Sequence, residues 1–168
     1  MPHSLVDQLR FTRSEFGRAV GGVNDDDAAR RLMPMNCIGW NVGHMAAQEQ
    51  RYFLTFAQSL QPYPEIDRAY SFGSPASTPK LSEMVDAWMS ITRAVDPWLD
   101  ELTSDAALDH VVLEGDPMHY TFGSLLLRVI YHYWYHTGEI MAVRQMLGHK
   151  NLPDFVGDLD GKAPYRPD

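Results

Sequence analysis

Between Thr121 and Gly148 the chain repeats apolar residues with the period of an α-helix, and this stretch restricts the fold more tightly than any other. At about 100° per residue, Phe122, Leu125, Val129, His132, His136, Ile140, Val143 and Leu147 share one side of a long helix. A stripe of that length cannot be buried by the helix that carries it. Other helices must lie along it. Gly148 suits the left-handed residue that closes such a helix.

Three further segments supply those partners. Leu5, Leu9, Phe16 and Val20 lie near one face of a first helix, which Gly21 and Gly22 stop. In the connector that follows, Asn24 can cap a short acidic turn of Asp25, Asp26 and Asp27, and Pro34 keeps that turn from running on. Asn36 is the expected cap of a second helix from about Cys37 to Leu60. This helix has two apolar stripes, one of Ile38, Val42, Met45, Tyr52 and Phe56 and one of Trp40, His44, Ala47 and Leu54, so it should be deeply buried. A third helix is expected after Thr78, with Pro79 at its first position, through Trp88, Ile91, Val95 and Leu99; Pro97 is a candidate kink.

The connections are less regular. Residues 61–79 hold Pro62, Pro64, Gly73 and Pro75 among several serines, which fits a long crossover and neither a helix nor a strand. Val111, Val112 and Leu113, beside Gly115 and Pro117, suffice for a short extended piece but not for a sheet. The tail, with Pro153, Pro164 and Pro167, is expected to be an irregular strap. No internal repeat is visible. The expectation is one all-α domain over residues 1–168, a four-helix bundle with a long crossover between its second and third helices.

Composition narrows the function. Apolar residues make up 45% of the chain and charged residues 21%, as in soluble globular proteins. The net charge of −8, with only 14 Lys and Arg, argues against a nucleic-acid surface. Cys37 is the only cysteine, so no intramolecular disulfide can form, which fits a reducing cytoplasm. Met1 to Val20 carries Asp7, Arg10, Arg13, Glu15 and Arg18 through its apolar positions, unlike a signal peptide. No apolar run approaches the roughly 20 residues of a membrane span. A soluble, cytoplasmic protein without membrane or nucleic-acid partners is expected.

The chemistry is concentrated in histidine. His132 and His136 stand four apart, which places their Cβ atoms about 5 to 6 Å apart on the buried side of the helix, where both rings can reach one ion. A pair of hydrogen-bonded core histidines would show the same spacing. Against that reading, two neighbouring buried imidazoles need separate partners, whereas one ion satisfies a nitrogen on each. His44, beside Gly43, Ala46 and Ala47, is the candidate third ligand from another helix, although by themselves those small residues are better explained by tight helix packing.

Three neutral imidazoles would leave a divalent ion its full charge and an open position, as in a catalytic site. Imidazole-rich sites suit zinc, nickel, copper or iron. Zinc and nickel are the first expectations, then iron or manganese. Glu139, on the same face as His136, is the candidate catalytic residue: it can orient a ligating imidazole, bind the ion or act as general base, and the first of these is preferred. Gln48 and Glu49 have similar, weaker claims.

Other residues read as structural. Tyr131, Tyr133, Trp134 and Tyr135 are expected in core or dimer contacts, and Met33, Met35, Met45, Met84, Met89, Met141 and Met146 as gap-fillers. His110, His119 and His149 are placed at the surface and Cys37 in the core. There is no Gly-rich phosphate loop, no HExxH pair and no Glu-x-x-His ligand pair, which disfavours nucleotide hydrolysis, zincin proteolysis and a di-iron centre.

Several of these residues lie in longer motifs. Ile38-Gly39-Trp40-Asn41-Val42-Gly43-His44, Thr121-Phe122-Gly123-Ser124-Leu125-Leu126, His132-Tyr133-Trp134-Tyr135-His136-Thr137-Gly138-Glu139-Ile140 and Leu147-Gly148-His149 together resemble the DinB-like family. That family includes damage-inducible, YfiT-like and mycothiol-dependent proteins, and Leu152-Pro153-Asp154-Phe155-Val156-Gly157 is similar to one of its branches. The resemblance implies an up-down-down-up bundle, often a homodimer. It also implies a divalent metal held by His44, His132 and His136. Some relatives are thiol-dependent transferases or isomerases, so fold-level analogy leaves the reaction open.

Two functions are carried forward. The first is a metal-dependent transferase or hydrolase in which the three-histidine site activates a low-molecular-weight thiol or a water against a small-molecule electrophile. The second is a non-catalytic dimeric bundle that binds metal for stability or stress sensing. An open space beside the ligands would favour the first, and a fourth protein ligand the second.

Overall fold

The computed structural model describes residues 3–166; Met1 and Pro167, which entered the reading of the two ends, lie outside the described residues. In chain order the helices are α1 (Ser4–Val20), α2 (Asp25–Ala29), α3 (Ile38–Glu49), α4 (Pro64–Tyr70), α5 (Leu81–Asp100), α6 (Ser104–Leu108), α7 (Phe122–Met146) and α8 (Leu159–Lys162). Strands β1 (His110–Leu113) and β2 (Asp116–Thr121) form an antiparallel hairpin between α6 and α7. The long helices α1, α3, α5 and α7 build an all-α bundle.

Side-chain contacts set the helix directions. Arg10, early in α1, meets Asp100 at the end of α5, while Gly17 lies by Trp88 nearer the start of α5, so these helices are antiparallel. Gly43 in α3 abuts Met84, and Phe53 beyond α3 stacks on Trp98, so α3 and α5 run together. Phe122 packs on Trp98, and Arg144 donates to the Ala19 carbonyl at 2.5 Å, so α7 runs with α1. The order is up-down-down-up. A parallel pair needs a long return, which residues 61–79 provide.

Every residue of the α7 stripe is buried or half-buried. The caps follow local chemistry: the Asn24 side chain accepts from Asp27 N at 2.8 Å, Thr121 Oγ1 accepts from Ser124 N at 3.3 Å, and Gly148 closes α7 at φ 81°. Gly157 N donates to Glu15 at 2.9 Å and Gln8 donates to the Ala163 carbonyl at 2.6 Å, so the tail straps α1. Among the described residues, no helix is long and apolar enough to cross a membrane.

Five expectations are corrected. The crossover contains α4, because Pro64 starts a turn with Glu65 and Asp67 and places Ile66 and Tyr70 four apart on a buried face. Cys37, rather than Asn36, caps α3, its Sγ accepting from Trp40 N at 3.4 Å. The next helix begins at Leu81, two residues beyond Pro79, and continues through Pro97. The expected single extended piece is a hairpin, closed at Glu114 (φ 53°) and Gly115 (φ 93°), a pair of positive angles that matches strand twist. Met33, Met89 and Met146 are exposed rather than filling gaps.

The second helix also departs from regularity. After Glu49 it continues as π-helix over Gln50–Phe56, where the wider turn shifts the phase of every following side chain. Gln50 is fully buried there: its amide donates to the Tyr63 carbonyl and accepts from Tyr63 N, both at 2.9 Å, fixing the entry to α4.

Opposite that clamp lies a buried ion pair. Arg13 donates to both oxygens of Glu49 at 2.7 and 2.6 Å, Tyr133 donates to Glu49 at 2.8 Å, and Trp88 donates to Tyr133 at 2.6 Å. Burial alone would push the Arg13 pKa down, but Glu49 more than offsets it and holds it above its ordinary value. Removing one partner strands the other charge. Glu49→Ala is expected to cost about 3–5 kcal/mol of stability by urea denaturation, whereas Arg13→Met with Glu49→Leu should recover much of that loss.

Candidate metal centre

α3 and α7 meet along the face that carries the three histidines, and the ring nitrogens of His44, His132 and His136 lie within 4.8 Å of one another. Ring centroids are 5.0 Å apart for His44 and His132, 5.3 Å for His44 and His136, and 4.5 Å for His132 and His136. All are buried or half-buried. The four-residue spacing in α7 produces one pair, and the packing of α3 against α7 adds the third ring.

Each ring is held from behind by an acceptor. His44 Nδ1 lies 2.6 Å from the Tyr70 carbonyl, His132 Nδ1 lies 2.7 Å from Gln48 Oε1, and His136 Nδ1 lies 2.8 Å from Glu139 Oε2. A carbonyl or carboxylate oxygen only accepts, so each Nδ1 carries the proton and each Nε2 presents a lone pair. His136 Nε2 and His132 Nε2 then face each other at 2.9 Å with no proton to share. Two lone pairs at that distance repel. A cation between them turns the repulsion into coordination, and imidazoles oriented by outer oxygens are the usual ligands of zinc and its neighbours. The residues present fit a divalent metal.

The outer shell extends further. Asn41 donates to Glu139 Oε2 at 3.0 Å, so α3 holds the carboxylate that holds His136. Tyr70 is the last residue of α4, where a helix carbonyl lacks an internal partner and carries the negative end of the dipole. Trp40 stacks on His44, with centroids 5.0 Å apart and planes 16° apart. Gly43 keeps this region close: a Cβ there would lie 2.8 Å from the Tyr70 ring and 2.9 Å from Met84 Sδ. Its small size therefore serves packing, while Ala47 borders the open space beside the histidines.

That space is a cavity of about 350 Å³ bordered by His44, His132, Gln48, Ala47 and Tyr52 among others. Among the described residues the cluster contains the three histidines and no fourth protein ligand. The ring nitrogens thus face one another, and two of the three rings, those of His44 and His132, also border a volume that admits a small molecule.

The other candidates fall in different places. Glu139 sits behind His136, on the side away from His132, and Gln48 plays the same part for His132. Glu49 points to the opposite side of α3, into the pair with Arg13. Tyr133 is fully buried there, whereas Tyr131 and Tyr135 are exposed, with Tyr135 edge-on to His136 at 5.0 Å. His110 and His119 are exposed on the hairpin, and Cys37 is buried, donating to the Ser77 carbonyl at 3.3 Å. His149 is no plain surface residue: it accepts from Arg144 at 3.3 Å and contacts Asp27 at 3.2 Å. The sequence reading missed Asn41 and the Tyr70 carbonyl. Only the Pro64-to-Tyr70 helix signal could have revealed the latter.

Residues 8–140 match the model of the DinB superfamily. A crystal structure of a DinB-like protein from Bacillus cereus is similar at a TM-score of 0.67 and 14% identity, covering 89% of this chain and 94% of that one. The conserved protein of a locus from Enterococcus faecalis is similar at 0.60 and 15%, covering 89% and 99%. At these identities the likeness shows the fold. No curated protein matches the sequence.

The site has a pH signature. Burial, then the charges of His136, His44 and Arg128, push the His132 pKa down to about 3, and burial lowers that of His44 despite the Tyr70 carbonyl. The unfolded chain, with His132 near its ordinary value of about 6.5, therefore binds more protons between those values. Metal-free protein should lose stability as the pH falls through that window. NMR of the imidazole side chains should show His132 still neutral where an exposed histidine has become charged; a normal titration would contradict this geometry.

Proposed function

The chain belongs to the DinB superfamily, and on that premise we propose that it is a metal-dependent enzyme acting at His44, His132 and His136 on a low-molecular-weight thiol or a water, for attack on a small electrophile. One observation carries the reading: three Nε2 lone pairs converge beside an open cavity, with every Nδ1 already bound from behind. A divalent ion held by His44, His132 and His136 would supply Lewis acidity and lower the pKa of a bound thiol or water.

The chain's own residues do the rest. His44 and His132 can bind without first losing a proton, because burial keeps both neutral. Glu139, fixed by Asn41, and Gln48 hold His136 and His132 in the protonation pattern that leaves Nε2 free. Glu139 is thus a positioning residue in this reading. The cavity gives a small substrate a place beside the ligands, which favours chemistry over a closed structural site. Zinc or nickel suits three imidazoles better than iron or manganese. The reaction class is transferase or hydrolase, in the cytoplasm, without nucleic-acid or membrane partners. A homodimer belongs to the same reading, since Leu127, Tyr131 and Tyr135 form an exposed apolar stripe at four-residue spacing on α7.

Protein purified without a histidine tag is expected to hold about one divalent ion per chain by elemental analysis, and His132→Ala to abolish it. Glu139→Gln should weaken metal affinity by about 10–100-fold while the fold is retained. In a screen of low-molecular-weight thiols against a generic alkylating electrophile, the metal-loaded wild type should turn over and His136→Ala should not. Wild-type protein that arrives ion-free and refuses added zinc and nickel ends this reading.

A further inference from the structure

The cavity beside His44 and His132 is also bordered by Arg51 and Arg128, and no Asp or Glu lines it. The chain as a whole is acidic, with 22 Asp and Glu against 14 Lys and Arg, so a cationic mouth runs against its average charge. Arg10, Arg13 and Arg18 each bind a carboxylate, at 2.7, 2.6 and 2.6 Å. Arg51 and Arg128 bind none: among the described residues neither has a hydrogen bond or ion pair to the protein. Their forks are available for a ligand.

Their placement gives this a use. Arg128 precedes His132 by one helical turn on α7, and Arg51 follows Gln48 by three residues where the chain turns π-helical, so the two guanidiniums come from different helices to one cavity. Arg51 lies over the Phe56 ring at 5.6 Å, a cation–π contact that steadies the plane while leaving its N–H edge free. A planar guanidinium matches a carboxylate with two parallel hydrogen bonds. Ala47 and the exposed Phe72 add apolar surface to the same space.

We propose that Arg51 and Arg128 make this site selective for small molecules that carry a carboxylate, bound by the arginines while the reacting group faces the three histidines. The inference rests on the metal-site reading for the reacting end only. The arginines recognise the carboxylate whether or not an ion is present.

The test uses the full chain, 3-mercaptopropionate, its methyl ester and cysteamine. With cobalt(II)-loaded protein, the thiolate-to-metal absorption band should report tighter binding of 3-mercaptopropionate than of the ester by about tenfold or more, the size of one charge-assisted hydrogen bond, with cysteamine weakest. In Arg51→Gln with Arg128→Gln, that preference should fall to within about twofold at unchanged cobalt stoichiometry, because both side chains are exposed and neither is a ligand. In metal-free protein, 3-mercaptopropionate should shift the Nε–H resonances of both arginines and the ester should not. Equal binding of acid and ester, or a preference that survives the double variant, overturns the proposal while leaving the metal site intact. If the protein takes up no cobalt, the metal reading fails, and the arginine resonances alone decide: a carboxylate-specific shift sustains the proposal, and its absence overturns it.

Discussion

Three lone pairs aimed at one point are the constraint on which the site depends. Neutral imidazoles pack comfortably when each has a donor and an acceptor to meet; here the acceptors Tyr70 O, Gln48 Oε1 and Glu139 Oε2 take the protons on one side and leave only lone pairs on the other. The fold therefore holds the rings in an arrangement that a cation stabilises. The three oxygens come from the end of α4, from α3 and from α7, and Asn41 ties the last of them back to α3. The orientation of the three rings and the helix packing are thereby coupled.

Three consecutive residues show how closely. At about 100° per residue, Gln48, Glu49 and Gln50 leave the helix in different directions. Gln48 orients His132, Glu49 neutralises Arg13 inside the bundle, and Gln50 clamps Tyr63 at the start of α4. The clamp matters to the site because the other end of α4 supplies the carbonyl that binds His44. The π-helical turn beginning at Gln50 brings Arg51 and Tyr52 to the cavity. The helix that carries His44 thus also positions much of what surrounds it.

Much of this is legible in the amino-acid sequence. The α7 stripe and its start near Thr121, the cap at Asn24, the stop at Gly148 and the burial of both α3 faces follow from periodicity and local hydrogen bonding, which depend on neighbours in the chain. The errors arose where distant partners decide. Helix α4 hides among prolines because its apolar face is only Ile66 and Tyr70, enough when packed against α3 but faint in a string of residues. Glu49 looked like a candidate for the site because it is close to His44 in sequence; its partner Arg13 is 36 residues away, and the helix turns the carboxylate to the other side.

What the residues alone determined is the four long helices and the placing of His132 and His136 one turn apart on a buried face, since a separation of four on an α-helix fixes their geometry without help. His44 was a candidate among small neighbours, and it took the resemblance to a family to prefer it. Only the tertiary structure decided that its ring meets the other two, that a helix-end carbonyl, an amide oxygen and a half-buried carboxylate set the tautomers, and that two unpaired arginines border the cavity. The reason is physical: helical spacing is a local property of the backbone, whereas a distance between side chains on different helices exists only once packing has brought those helices together.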